Sequence, residues 1–115
     1  MKYMLLIYDN EKNWQGASKA AQGEMMTEYR KFTNEIKESG NFLGGEALQP
    51  IATATTVRVR EGKRLQTDGP FAETKEQLGG YYLLEAANLD EALEWAARVP
   101  SARHGAIEVR PLVER

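Results

Sequence analysis

The chain has 115 residues, no cysteine and a formal net charge of −2, with 15 Lys and Arg against 17 Asp and Glu. This length predicts one domain, residues 1–115, with room for a hydrophobic core. The absence of cysteine excludes disulfides, a thiolate nucleophile and cysteine-ligated metals. The mixed, slightly acidic charge provides no cationic field for a phosphate backbone, so no nucleic-acid partner is expected.

The first segment, MKYMLLIY, is apolar at every position from Tyr3 to Tyr8. So short an apolar run predicts a strand that is covered on both faces. It falls well short of the roughly 20 apolar residues that cross a bilayer, and no small-residue cleavage site follows it. We therefore expect a cytoplasmic protein without a membrane partner.

A polar connector, residues 9–23, precedes the first predicted helix. Met25, Tyr29, Phe32 and Ile36 recur at spacings of four, three and four residues, which is the period of one face of an α-helix. The helix is expected to begin near residue 19 or 24 and to end at residue 39, where a glycine follows in the left-handed conformation.

The middle of the chain reads as β structure interrupted by turns. Val57 and Val59 alternate with two arginines, and residues 61–63 form the tip of a predicted hairpin. The segment GGYYLLEA predicts a further strand, and its two glycines predict a bulge where that strand begins.

The last third of the chain predicts a helix and a final strand. Asn88 and Glu91 have the spacing of a capping box at the start of the helix, and Pro100 ends it. Ile107 and Val109 then alternate with polar residues in the last strand. The order of elements predicts an α+β, ferredoxin-like fold, βαββαβ with an extra strand or hairpin, around an antiparallel sheet.

Two helices can cover only one face of such a sheet. Because the first strand is apolar on both faces, the uncovered face predicts a homodimer whose two sheets pack against each other. Polar side chains on that face would line a cleft between the sheets, which is a natural site for a small-molecule ligand; the candidates are His104, Glu108 and Arg110.

The segment DGPFAETKEQLGGYYLLEA, residues 68–86, together with MKYMLLIY, DEALEWAARVP and IEVRPL, resembles the DGPF-type proteins of the YCII-related (YciI-like) family. This resemblance covers nearly the whole chain and implies a ferredoxin-like subunit of the dimeric α/β-barrel superfamily. It also implies a possible enzymatic role through a His–Asp pair in a cleft, and an association of some members with sigma factors.

Asp68 and His104 are the candidate catalytic residues. An Asp before Gly-Pro is a common turn former; the functional alternative makes Asp68 a general base at the rim of the cleft. His104 is the only histidine of the chain, and histidine is the side chain best suited to exchange protons near neutral pH, although a histidine beside Arg103 also suits a surface position. The two would form a dyad within one subunit or across the dimer.

Further candidates surround the DGPF segment. Phe71 either plugs the sheet edge or stacks on a substrate, and the charged run after it either forms a solvated helical turn or directs one side chain inward. The predicted substrate-binding residues are Phe71, Lys75, Glu76, Tyr81, Tyr82 and Arg110. With one histidine and no cysteine, neither a metal nor a cofactor is expected.

Two functional hypotheses of different classes follow. The first is a small-molecule-binding homodimer, an enzyme of proton transfer without a cofactor, of isomerase or lyase type. The second is a non-enzymatic regulatory or interaction module, in line with the sigma-factor association that the resemblance implies.

Overall fold

The computed structural model describes residues 1–115 as three helices, a four-stranded sheet and a separate two-stranded hairpin. The strands are β1 (Lys2–Asp9), β2 (Phe42–Ala47), β3 (Thr55–Arg60), β4 (Lys63–Asp68), β5 (Gln77–Glu85) and β6 (Ala106–Pro111). The helices are α1 (Glu11–Gln15), α2 (Lys19–Glu38) and α3 (Leu89–Arg98), with 3-10 turns at Ile51–Thr53 and Pro100–Arg103.

The main sheet is antiparallel throughout and has the strand order β2-β5-β1-β6. The two strands joined through α2 are not neighbours, because β5 lies between β1 and β2, and β6 returns to the other side of β1. This is the split βαβ arrangement of ferredoxin-like folds. The predicted fold class is therefore confirmed, with β3 and β4 as the inserted hairpin.

The core lies between the helices and one face of this sheet. Tyr3, Leu5 and Ile7 of β1 alternate toward it, and α2 contributes Phe32 and Ile36. The ring of Phe32 meets that of Tyr82 edge-on, with centroids 5.2 Å apart, and that of Trp95 at 6.0 Å. Such contacts add to the free energy gained by burying the rings.

The opposite face of the sheet carries no second layer. Met4, Leu6 and Tyr8 of β1 point to it, as do Tyr81 and Leu83 of β5, and all five side chains are only partly buried. Both alternating sets of β1 are thus apolar, as the sequence indicates, but only one set is covered within the chain. No helix of the chain has the length and apolar character needed to span a membrane.

The predicted helix boundaries are largely confirmed. Ser18 caps α2 by accepting a hydrogen bond from the Ala21 N–H at 3.1 Å, and Gly40 follows the helix with φ of +83°. Asn88 caps α3 by accepting from the Glu91 N–H at 3.0 Å. The carboxylate of Glu91 does not complete the capping box, since it accepts from Asn41 Nδ2 at 2.6 Å instead.

Two local expectations were wrong, whereas one hairpin turn and one β-bulge were predicted correctly. The predicted polar connector contains α1, whose first turn is capped by the Asn10 side chain. The charged run after Phe71 has bends at residues 71–72 and 75–76 and no helical turn. Glu61 and Gly62 both have positive φ, as a type I′ hairpin turn requires. The register of β1 with β5 passes from Gly80 to Leu78, which leaves Gly79 as the extra residue of a bulge.

Candidate functional site

Asp9 and His104 form a contact pair at one end of the main sheet. Asp9 is the last residue of β1, and His104 lies in the turn before β6. His104 Nδ1 is 3.0 Å from Asp9 Oδ2, and the two side chains are 40% and 26% exposed. Both groups are thus ordered by their contact and still accessible to a small molecule.

The Asp9 carboxylate is oriented by the start of α1. Its Oδ1 accepts hydrogen bonds from the Asn10 N–H at 2.8 Å and from Asn13 Nδ2 at 3.2 Å. One carboxylate oxygen therefore belongs to the strand-to-helix connection, and the other faces His104.

Gly105 allows the His104 turn to approach β1. The Gly105 N–H donates to the Ser101 carbonyl at 2.7 Å. A Cβ at Gly105 would lie 2.2 Å from the carbonyl oxygen of Tyr8 and 3.2 Å from Cβ of Asp9. Any other residue would push the turn away from the end of β1, so this glycine determines how close His104 comes to Asp9.

Tyr29 of α2 anchors the same turn from the other side. Its hydroxyl is 2.5 Å from Ser101 Oγ, in a hydrogen bond that either oxygen can donate, and Ser101 is only 6% exposed. Burial raises the pKa of the Tyr29 phenol above its ordinary value, and the Ser101 hydrogen bond partly opposes this effect. Tyr29 is therefore neutral at physiological pH and retains a proton to donate.

The Asp9–His104 pair opens into a cavity of about 620 Å³ between α1 and α2. Apolar and aromatic side chains form most of its wall, with four polar residues at one end. Its lining consists of Asp9, Asn13, Trp14, Ala17, Ala21, Met25, Met26, Tyr29, Ser101 and His104. Such a site, apolar with a few polar groups, is the usual kind for small ligands.

A second cavity of about 520 Å³ lies between α2 and strands β2 and β5. It shares Asp9, Trp14, Tyr29 and Ser101 with the first cavity, so the two form neighbouring parts of one cleft. Tyr82 donates to or accepts from Thr33 Oγ1 at 2.8 Å in its wall, and burial raises the pKa of this phenol too.

Glycines allow β2 and β5 to pack closely in the wall of this second cavity. Gly45 and Gly80 line it, and a Cβ at Gly45 would meet the Tyr82 ring at 2.9 Å. No three or more His, Cys, Asp or Glu side chains converge in an arrangement that could hold a metal ion.

The structure separates the two predicted catalytic residues within the chain. His104 contacts Asp9, whereas Asp68 is the exposed last residue of β4 and lines neither cavity. An Asp68–His104 contact across a dimer stays a prediction. His104 is also not on the uncovered sheet face, where Glu108 and Arg110 are hydrogen-bonded to each other.

The predicted substrate-binding residues are dispersed. Tyr81 and Tyr82 point to opposite faces of the sheet, with the Tyr82 side chain on the helix side, and both residues line the second cavity. Phe71 does not plug the sheet edge; it is 77% exposed and lies under the guanidinium of Arg58, 5.2 Å from ring centroid to Cζ. Lys75 is exposed, and Glu76 is half-buried.

Of the residues with polar groups in this pocket, only His104 was predicted as a site residue; Asp9, Asn13, Tyr29 and Ser101 were not. Tyr29 and Ser101 gave no signal, because an apolar helical period and a serine in a turn are ordinary features. Asp9 did give a sequence signal, because a carboxylate directly after a buried strand lies at the end of the sheet, where binding sites are common.

Two comparisons with known proteins bear on the family of this chain. The model of the YCII-related domain matches residues 1–115. An uncharacterised protein of Rhizobium meliloti (strain 1021) is 39% identical, over 97% of this chain and 92% of that protein. The chain therefore belongs to the YCII-related domain family.

Proposed function

We propose that the protein binds a small metabolite in the Asp9–His104 cavity and exchanges a proton with it. The observation that supports this proposal is the 3.0 Å contact between His104 Nδ1 and Asp9 Oδ2 at the wall of a cavity of about 620 Å³. A histidine held by a carboxylate is the common arrangement of a general base.

In the proposed step, Asp9 accepts a hydrogen bond from the Nδ1–H of His104. This contact fixes the tautomer in which Nε2 has the free lone pair. Nε2 then takes a proton from a carbon or oxygen atom of the ligand. In an isomerisation, His104 returns this proton at a second position of the ligand; in an elimination, the bond to the leaving group breaks and His104 gives the proton to that group, in both cases without a cofactor. The Tyr29 phenol, neutral because burial raises its pKa, can donate a hydrogen bond to the negative charge that develops.

The lining of the cavity favours a ligand with an apolar or aromatic body and one polar group. Trp14, Met25 and Met26 provide a soft apolar wall, and methionine side chains adapt to ligands of varied shape. The polar end of the ligand would lie beside His104 and Ser101.

We further propose that the chain forms a homodimer through the uncovered face of the main sheet. The support is the apolar, only partly buried set on that face, formed by Met4, Leu6, Tyr8, Tyr81 and Leu83. A face of this kind is usually covered by a partner, and a two-fold pair of identical sheets would cover both copies. Asp68, exposed and outside the cavities of its own chain, would act on a ligand only from the second copy.

The alternative function is a non-enzymatic interaction module. What favours it is the exposed hairpin of β3 and β4 with the neighbouring Phe71, which no other part of the chain covers. The two functions differ in where a partner binds, because the first uses the Asp9–His104 cavity and the second uses the hairpin.

A metabolite screen by NMR tests the proposal. His104 is the only histidine, so its imidazole resonances report on one site without further assignment. We expect a small apolar or aromatic metabolite to shift these resonances and to lose affinity in His104→Gln. A library of several hundred metabolites that leaves the imidazole signals unchanged, with the protein folded, would contradict the proposed site.

A further inference from the structure

The cleft formed by the two cavities follows one face of α2. Tyr29, Thr33 and Lys37 are spaced by four residues, so they lie in one row on that helix, and all three line the second cavity. At a rise of about 1.5 Å per residue, the two ends of this row are about 12 Å apart. The Tyr29 end is tied to the His104 turn through Ser101, so Lys37 marks the far end of the cleft.

Lys37 is the only lysine or arginine among the residues that line the two cavities. Its ammonium Nζ lies 5.1 Å from the centroid of the Phe42 ring, in a cation–π contact that holds the charge at the wall of the cleft. Lys37 takes part in no ion pair of the chain, and the residues three and four positions away from it are not acidic. Its charge is therefore available to a ligand.

Two of the three acidic residues of the cleft lie at its other end. Asp9 contacts His104, and Glu11 follows closely in the chain, as the first residue of α1. Glu11 Oε2 accepts a hydrogen bond from the Ile51 N–H at 2.9 Å, so this carboxylate is held in place. The fixed negative charges of the cleft are therefore next to His104.

The third acidic residue, Glu46, points away from α2. It lies opposite Tyr81 in the sheet, and residues opposite each other on paired strands share a face. Because Tyr81 belongs to the uncovered face, the Glu46 side chain belongs to it too. On the helix side, the cleft is thus negative at the His104 end and positive at the Lys37 end.

Aromatic rings and hydroxyl groups line the cleft between its two ends. The rings of Phe42 and Tyr82 have centroids 6.3 Å apart, and the Tyr82 hydroxyl is 2.8 Å from Thr33 Oγ1. Trp14 lines both cavities. Aromatic walls of this kind suit an apolar or aromatic body, so a ligand that fills the cleft has such a body between two polar ends.

We propose that the ligand is a monocarboxylate whose reacting polar group lies beside His104 and whose carboxylate binds Lys37. A single cation balances a single negative charge, whereas a phosphate dianion would call for further donors. Asp9 and Glu11 disfavour the reverse orientation, because they would repel a carboxylate at their end of the cleft. This inference rests on the function proposed above and adds to it the class and the orientation of the ligand.

A matched pair of probes tests this class. The molecule para-hydroxyphenylpropanoate has a hydroxyl group at one end and a carboxylate at the other, and its primary amide has the same shape without the charge. Titration followed by the imidazole resonances of His104, the only histidine, gives both dissociation constants. We expect the natural chain to bind the carboxylate about fivefold more tightly than the amide, as for a partly exposed ion pair.

Lys37→Met removes the cation and keeps a long side chain against Phe42. We expect this variant to lose the preference for the carboxylate and to bind the amide as the natural chain does. Lys31→Met is the control with the same change of net charge, since Lys31 is exposed on α2 and lines neither cavity; it should keep the preference. A preference that Lys37→Met retains, or an equal loss in both variants, would overturn the proposal.

Intermolecular nuclear Overhauser effects test the orientation. We expect them between the His104 imidazole protons and the ring protons of the carboxylate probe, but not the methylene protons next to its carboxylate. Effects that reach only those methylene protons would place the carboxylate beside His104 and overturn the proposal.

Failure of this inference and failure of the proposed site give different results. If both probes shift the His104 resonances with equal affinity, the monocarboxylate class fails and the site stands. If the metabolite screen identifies only uncharged or cationic ligands, the class fails in the same way. If neither probe shifts the resonances at millimolar concentration, the class fails, and the metabolite screen decides separately on the site.

Discussion

The carboxylate of Asp9, where β1 ends, meets the imidazole of His104, just before β6, at 3.0 Å. The two residues lie near opposite ends of the chain and come together because β6 pairs with β1, which brings Ala106 opposite Tyr8. The contact therefore depends on the pairing of β1 with the edge strand β6, which places the turn that contains His104 beside the end of β1.

Asp9→Asn tests whether Asp9 is the carboxylate that orients His104 for ligand binding. The amide keeps the size of the side chain but removes the negative charge opposite Nδ1, so we expect the dissociation constant of a metabolite found by NMR to rise about tenfold, equivalent to about 1.4 kcal/mol. Titration of the ligand followed by the His104 resonances measures this change.

Asp68→Asn, measured in parallel, tests the alternative pair, in which Asp68 of a second copy contacts His104. A loss of affinity as large as that of Asp9→Asn would show that Asp68 of a second copy takes part in the site. Glu73→Gln, in an exposed position of the same segment, is the control for a general change of surface charge.

Gly105→Ala should destabilise the fold and disrupt the pair. The new Cβ would lie 2.2 Å from the Tyr8 carbonyl oxygen, and overpacking of this kind costs about 1–3 kcal/mol or more. Urea unfolding followed by circular dichroism gives the free energy of unfolding.

Gly23→Ala is the matched control for this glycine replacement. Gly23 lies in α2, and a Cβ there meets nothing within 4 Å, so we expect a gain of about 0.5–1 kcal/mol from the better helix former. Equal effects of the two alanines would contradict the close approach of the His104 turn to β1.

Tyr29→Phe removes the hydrogen bond that ties α2 to Ser101. The Ser101 hydroxyl is buried, and leaving it without a partner should cost about 1–3 kcal/mol of unfolding free energy. The double variant with Ser101→Ala replaces both partners and should cost less than the sum of the single variants. Strictly additive losses would mean that the hydroxyls do not interact.

The stability of the fold should fall at alkaline pH. Burial raises the pKa of Tyr29 and of Tyr82 above the ordinary 10.0, so the unfolded chain loses these protons at lower pH than the folded chain. Below pH 10 both states keep them and stability is unaffected, whereas above pH 10 stability decreases until the folded pKa is passed.

Urea unfolding between pH 8 and pH 11 measures this slope. Tyr29→Phe should reduce the slope, since one of the two raised phenols is then absent. A slope that is identical in the natural chain and the variant would contradict the burial of Tyr29 as the cause.

The sequence by itself determined the order of the elements, because each is marked locally. The apolar period of α2, the Asn88 cap of α3 and the turn signals of the β3–β4 hairpin depend only on neighbouring residues, and all appear where they are expected. The uncovered sheet face also follows from the sequence, since two helices cannot cover both faces of four strands.

Only the tertiary structure decided the candidate site. Asp9, Tyr29, Ser101 and His104 come from four separate segments, and no local pattern states that β6 pairs with β1 or that α2 faces the turn after α3. The DGPF segment drew attention to Asp68 and Phe71, yet the chain exposes both at the base of the β3–β4 hairpin. Contacts between distant segments depend on strand order and helix packing, which is why the Asp9–His104 pair became visible only in the folded molecule.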